Sequence, residues 1–164
     1  MQATTAPPKV KRNYVTFKIN DKLFGLDILN VREINRQTDA AHVPQAPDFV
    51  HGLINLRGQI VTILDLKYRL GMGRSEANID SHNIILKGQA VSAEAHGEAD
   101  DRVGILVDTI GDIIVADSDT EDVLPANMDE RDAQYLSGVV KLNDTLIGIL
   151  NVQKVLAHAT QAEG

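Results

Sequence analysis

The chain has 164 residues and a formal charge of −7, from 16 Lys and Arg against 23 Asp and Glu, with no cysteine and no tryptophan. That length supports one good core, or two small cores sharing an interface; the acidic balance disfavours nonspecific binding to nucleic acid or to an anionic membrane surface, both of which need basic side chains. The absence of thiols removes disulfide and thiolate chemistry and fits a reducing compartment, and with neither a signal-peptide pattern at the start nor an apolar run near the roughly 18 residues of a membrane helix, the expected location is the cytoplasm.

Residues 1–12 read as a disordered tail, with Ala6-Pro7-Pro8 unable to pair and Lys9, Lys11 and Arg12 solvated. Tyr14-Val15-Thr16-Phe17-Lys18-Ile19 alternates as a strand. Asn20-Asp21 turns it, and residues 22–26 return, giving a hairpin. Asp27 can cap one helical turn over Ile28-Leu29-Asn30 before Val31-Arg32-Glu33-Ile34 resumes extended structure. Residues 37–47, with two prolines, are a loop.

The next stretch organises the rest. Leu53 to Leu56 and Ile60 to Leu64 are β-branched apolar runs that favour buried strands. Arg57-Gly58 between them is a two-residue hairpin turn. Asp65 follows as the cap of a short helix that Gly71 stops. Beyond a polar link over residues 74–80, strands are expected at 82–87, 102–108 and 110–115, with an exposed loop at 88–101. Residues 117–132 form an acidic loop with one helical turn, and 152–157 a final short helix before a polar tail at 158–164.

The organising stretch occurs twice. Tyr135 to Val152 repeats Phe49 to Leu66 at a constant offset (138 − 52 = 86): Gly52 matches Gly138, the turn Arg57-Gly58 matches Asn143-Asp144, and the cap Asp65 matches Asn151. A second echo lays Phe24 to Ile34 over Val103 to Ile113 (104 − 25 = 79). Each unit therefore runs hairpin, short turn, strand, hairpin, helix. Short, strongly twisted strands in that number curl into small barrels that hide their edges, so the residues alone predict a mainly β fold of two barrels in tandem, packed on each other.

No catalytic constellation is found. The five histidines, His42, His51, His82, His96 and His158, have no metal-ligand spacing, and Gly71-Met72-Gly73 follows a helix instead of joining a strand to one. Asp117, Asp119 and Glu121 start like a calcium loop, but Asp122 and Met128 occupy the positions that need glycine and glutamate. No serine sits in a nucleophile elbow, so neither an enzyme nor a cofactor or metal is expected. Glu33 and Arg57 remain, each a charge among apolar strand residues. Either both point outward into solvent, or they pair with each other on a binding face.

Assembled in order, Phe24–Ile34, Pro47–Gly58 with its Gly-x-x-Asn-Leu-Arg-Gly core, Ile63–Leu66 and Val103–Asp108 resemble the CheW-like chemotaxis coupling proteins. The resemblance covers about residues 14–156. It implies two intertwined five-stranded SH3-like β-barrels with short helices, forming one domain over 13–157 with subdomains at about 14–73 and 80–157. It implies an adaptor that bridges the cytoplasmic tip of chemoreceptors and the regulatory domain of a chemotaxis histidine kinase, recruited to the membrane-associated array without inserting into the membrane. Rings with kinase regulatory domains would follow from head-to-tail contacts of the two barrels. By the same resemblance Glu33 and Arg57 belong to receptor and array contacts, and Gly52, Asn55 and Gly58 face the kinase. Val31, Val103, Ile105 and Val107 would line an apolar groove for the receptor helix. The array could serve flagellar chemotaxis, twitching motility or another pathway. A free-standing SH3-like peptide binder is the rival, and three Tyr, three Phe and no Trp are few for the aromatic groove it needs.

Overall fold

In the computed structural model, which describes residues 11–36, 39–88, 102–117, 121–122 and 133–161, the first hairpin forms as its alternation dictates. β1 (Lys11–Ile19) and β2 (Lys22–Asp27) pair antiparallel from Tyr14↔Asp27 to Ile19↔Lys22. Asp27 then caps a single 3₁₀ turn, Ile28–Asn30, by accepting the Leu29 N–H at 2.9 Å. β3 (Val31–Asn35) follows, then β4 (Val50–Leu56) and β5 (Gln59–Asp65) with α1 (Leu66–Arg69). The second half supplies β6 (His82–Leu86), β7 (Arg102–Val107), β8 (Thr109–Asp117), β9 (Glu121–Asp122), β10 (Leu136–Leu142), β11 (Thr145–Leu150) and α2 (Val152–Gln161).

The repeat read from the sequence is a repeat in three dimensions. Both central residues of the β4–β5 turn have positive φ, Arg57 at 55° and Gly58 at 83°, and so do Asn143 and Asp144 at 51° and 65° in the β10–β11 turn. Positive φ at both centres gives the turn twist that matches a right-twisted hairpin. Each hairpin also shifts register at its first glycine, between Val50 and Gly52 and between Leu136 and Gly138. The base of each closes on one bond, Asp65 N–H to Phe49 O at 2.7 Å and Asn151 N–H to Tyr135 O at 2.8 Å. Each cap then accepts from the third residue on, Tyr68 N–H to Asp65 at 3.2 Å and Lys154 N–H to Asn151 at 3.0 Å.

The strands form two sheets of matching order, β8-β1-β2-β11-β10-β9 and β3-β6-β7-β5-β4. Each takes strands from both halves of the chain, so the expected division near residues 73–80 does not separate one sheet from the other, and the tandem arrangement gives way to an interleaved one. The β1–β2 hairpin joins the sheet of β10 and β11, and the β6–β7 hairpin joins the sheet of β4 and β5. The cause is local. Ile28–Asn30 between β2 and β3 are wound as a 3₁₀ turn, and Asp108 alone separates β7 from β8, so neither junction is a hairpin turn that would fold the next strand back on the last. The chain runs straight from one sheet into the other. The joining pairs are parallel and equivalent: Gly25↔Ile149 in one sheet, Gly104↔Ile63 in the other.

Three cores result. Tyr14, Ala116, Val140, Ile147 and Ile149 fill one barrel, and Ile54, Val61, Ile63, Ile85 and Leu106 fill the other. The largest lies between the sheets, where Phe17, Ile19, Leu26, Ile84, Ile105 and Val107 meet α1 through Leu66 and α2 through Val152, Val155 and Leu156. Phe17 and Phe24 stack there at 5.9 Å.

Three local expectations change. Within the stretch read as an acidic loop, Glu121–Asp122 is a strand pairing with Val139 and Val140. The helical turn expected in that loop lies outside the described residues, as do residues 1–10 of the expected 1–12 tail and 89–101 of the expected 88–101 loop, while Lys11 and Arg12, read as tail, belong to β1. The last helix reaches Gln161. β8 extends to Asp117, held by the long β1 from Tyr14↔Ile114 out to Lys11↔Asp117.

Candidate partner-binding site at the mouth of the first barrel

β3 and β4 are the two edge strands of their sheet, and the curl of the sheet brings their ends together. Ala41 and Leu53 exchange backbone bonds at 2.7 and 2.9 Å, fastening the segment after β3 to β4. At the mouth of this barrel the β4–β5 turn presents Arg57 towards Glu33 of β3. Nη1 donates to Oε2 at 2.7 Å and Nη2 to Oε1 at 3.1 Å. The planar guanidinium thus meets the carboxylate fork to fork. The two charges pair, and Arg57 also stands out into solvent.

The pair is asymmetric: the Arg57 side chain is 75% exposed and that of Glu33 21%. Glu33 holds the Arg57 pKa above its ordinary value through its hydrogen bonds and charge, and an arginine is cationic at any physiological pH in either case. An exposed ion pair in high dielectric contributes little to folding. Its useful property is presentation, because the fork fixes one face of a long flexible cation and leaves the rest to solvent.

Asn55 and Gly58 build the turn that carries it. Asn55 Oδ1 accepts the Gly58 N–H at 2.9 Å, and a Cβ on Gly58 would meet nothing within 4 Å. Both are exposed. Ile60, whose register partner is Asn55, adds an apolar surface 56% exposed beside the tip. The unbroken run Ile60 to Leu64 concealed it, since a continuous apolar stretch carries no alternation to mark the outward residue.

The remaining residues expected here separate. Gly52 is buried, and a Cβ on it would lie 2.7 Å from Ala41 O and 2.8 Å from Ala40 Cβ. Its place is under the 39–41 segment, not on an open face, and it is glycine so that two backbones can approach. Gly52→Ala is expected to cost about 1–3 kcal/mol through that overpacking. Thermal denaturation measures the loss, and faster amide exchange at Ala41 and Leu53 locates it. Val31 and Val103 are half-buried at the rim of the inter-sheet core. Ile105 and Val107, expected in the groove, are corrected to core: they are 1% and 0% exposed. Val103, Ile105 and Val107 lie on the β7 face towards α1 and β1, and only the first reaches the surface, because the space between the sheets is already filled.

Among the described residues no helix is long and apolar enough to cross a membrane. Residues 13–160 match the family model of a CheW-like domain. A chemotaxis protein CheW of Rhizobium meliloti is 32% identical over 145 residues, covering 88% of this chain and 86% of that protein. A second, from Treponema pallidum, is 29% identical, with 87% and 81% covered. The protein FrzA of Myxococcus xanthus is 28% identical over 162 residues, with 98% and 94% covered. Among solved structures, the scaffolding protein TtCheW from Thermoanaerobacter tengcongensis is similar at a TM-score of 0.71 and 30% identity, covering 86% of this chain and 89% of that one. With the family match spanning nearly the whole length of two interleaved barrels, this chain belongs to the CheW-like family.

Proposed function

We infer that the protein is an adaptor that couples chemoreceptors to a chemotaxis histidine kinase within a signalling array. The observation that carries this reading is the Arg57–Glu33 fork, a fixed and exposed charge at the mouth of one barrel in a chain that belongs to the CheW-like family. Its partners are the receptor's cytoplasmic tip and the kinase's regulatory domain. The adaptor acts in the cytoplasm and is recruited to the receptors at the membrane. It performs no chemistry of its own.

Within this reading Glu33 and Arg57 contact the receptor and the array, and Val31 and Val103, at the rim of the inter-sheet core, supply an apolar contact for the receptor helix. Asn55 and Gly58 shape the kinase-facing turn, and Gly52, further down the same hairpin, lets the 39–41 segment close on β4. The two barrels share one strand order, so they offer related faces to successive partners, an arrangement that closes head-to-tail contacts into rings.

The test is reconstitution from purified components. Kinase autophosphorylation should rise when receptor and this protein are both present, and stay at the basal level with either alone. Equal activity with and without the protein, at concentrations where each partner binds, would refute the coupling role. A pull-down from native cytoplasm that recovers neither kinase nor receptor would refute it independently.

A further inference from the structure

The junction of α1 and α2 holds two cations with no carboxylate partner among the described residues. The helices are repeat counterparts, and Arg69 holds in α1 the position that Val155 holds in α2 (155 − 69 = 86). Nε and Nη2 of Arg69 both donate to Val155 O, at 3.3 and 3.2 Å. Its guanidinium lies 4.7 Å from the ring centroid of Phe49 and 5.7 Å from that of Tyr135, which are themselves counterparts. Close by, Lys154 Nζ donates to Leu136 O at 3.3 Å.

Arg57 and Arg74 each meet a carboxylate, Glu33 and Asp48. Arg69 is more buried than either, and burial pushes its pKa below the ordinary value, yet among the described residues it meets a carbonyl and two ring faces and no carboxylate. These carry partial charges and do not neutralise a cation. A half-buried cation without a counter-charge is costly, and two bonds to one carbonyl leave three of the five guanidinium N–H groups for another acceptor. Beside it lies an open hollow of about 220 Å³ lined by Arg69, Leu70, Gly71, Gln134 and Tyr135.

We propose that this hollow receives an acidic side chain of a protein partner, whose carboxylate docks on Arg69 against the apolar wall of Leu70 and Tyr135. The chain as a whole is acidic, so attraction here is local and not a property of net charge. The choice of partners below rests on the coupling role inferred above.

The Arg69 Nε–H signal of the ¹⁵N-labelled protein is followed by NMR while receptor tip, kinase regulatory domain or sodium acetate is added. The expected result is a saturable shift with one of the two proteins, at the concentration where that protein binds, and none with acetate at equal concentration. Arg69→Gln should weaken that binding by roughly tenfold and flatten its salt dependence, and Arg69→Lys should restore part of it. Both variants are checked for native unfolding behaviour, and the wild-type shift stands independently of them. Wild-type binding of both proteins with an unmoved Arg69 signal overturns the proposal and leaves the coupling role intact. A shift with acetate alone overturns it in favour of a small-anion site. If neither protein binds the wild-type chain, the coupling role and this docking site fall together.

Discussion

Replacing Arg57 by glutamate is expected to weaken the assembly of this protein with receptor and kinase by roughly tenfold or more, while the thermal midpoint stays close to that of the unaltered chain. The substitution sets a second carboxylate against Glu33 where a guanidinium now bonds both of its oxygens at 2.7 and 3.1 Å. The tip then changes from a fixed cation to a repelled and mobile anion. Folding barely registers this, because the Arg57 side chain is 75% exposed and water can solvate either charge. An interface registers it fully, because the partner meets both a wrong charge and an unfixed loop. Isothermal titration against each partner, beside a melting curve, separates the two effects. Normal affinity for both partners would remove Arg57 from the contact. The exchanged pair Glu33→Arg with Arg57→Glu should recover the turn's order but not the binding.

Ile105→Ala should lose about 2–5 kcal/mol of stability, among the largest effects of any single truncation in the chain. Ile105 is 1% exposed and packs in the inter-sheet core, where both barrels and both helices meet. The cavity left by its truncation cannot collapse readily, since its surroundings are pinned by pairing on both sides: Ile84 from β6 and Leu64 from β5 are its register partners. Val103→Ala, two residues earlier on the same face, is half-buried and should cost about 1 kcal/mol. Chemical denaturation gives both values. A stable Ile105→Ala protein with weakened receptor binding would return that side chain to the groove. The expected pattern is the reverse, with Ile105→Ala binding normally once enough of it is folded and Val103→Ala showing the binding loss.

The sequence disclosed most of what is local. Asp27, Asp65 and Asn151 cap the turns and helices they precede, and Arg57-Gly58 and Asn143-Asp144 turn their hairpins, because each signal lies within four residues of the structure it dictates. The repeat was legible for the same reason, since it is a comparison of local signals. Pairing partners were not. Nothing near Gly25 says that its neighbour is Ile149, or near Gly104 that its neighbour is Ile63.

Facing was lost wherever a strand is buried on both sides. From Gly104 to Val107 every residue of β7 is buried, so the alternation that marks an outward side chain is absent and Ile105 could not be told from Val103. β9 had no signal at all. Glu121 and Asp122 have poor strand propensity and are held by Val139 and Val140 of β10. At the site itself, the fork between Glu33 and Arg57 could be framed as one of two alternatives. Choosing between them required knowing that the edges β3 and β4 meet.

The crossing of hairpins between sheets bears on how the protein is made. β1 and β2 leave the ribosome first, yet their parallel neighbour β11 is among the last strands to emerge. During translation that hairpin must wait, with Phe17, Ile19 and Leu26 uncovered, while β3 to β5 wait in turn for β6 and β7. Pairing of this range is slow and exposes apolar surface before it closes. A fragment ending before residue 109 should therefore leave one sheet unfinished: it would lack β8, β9, β10 and β11, and β1 and β2 would have only each other.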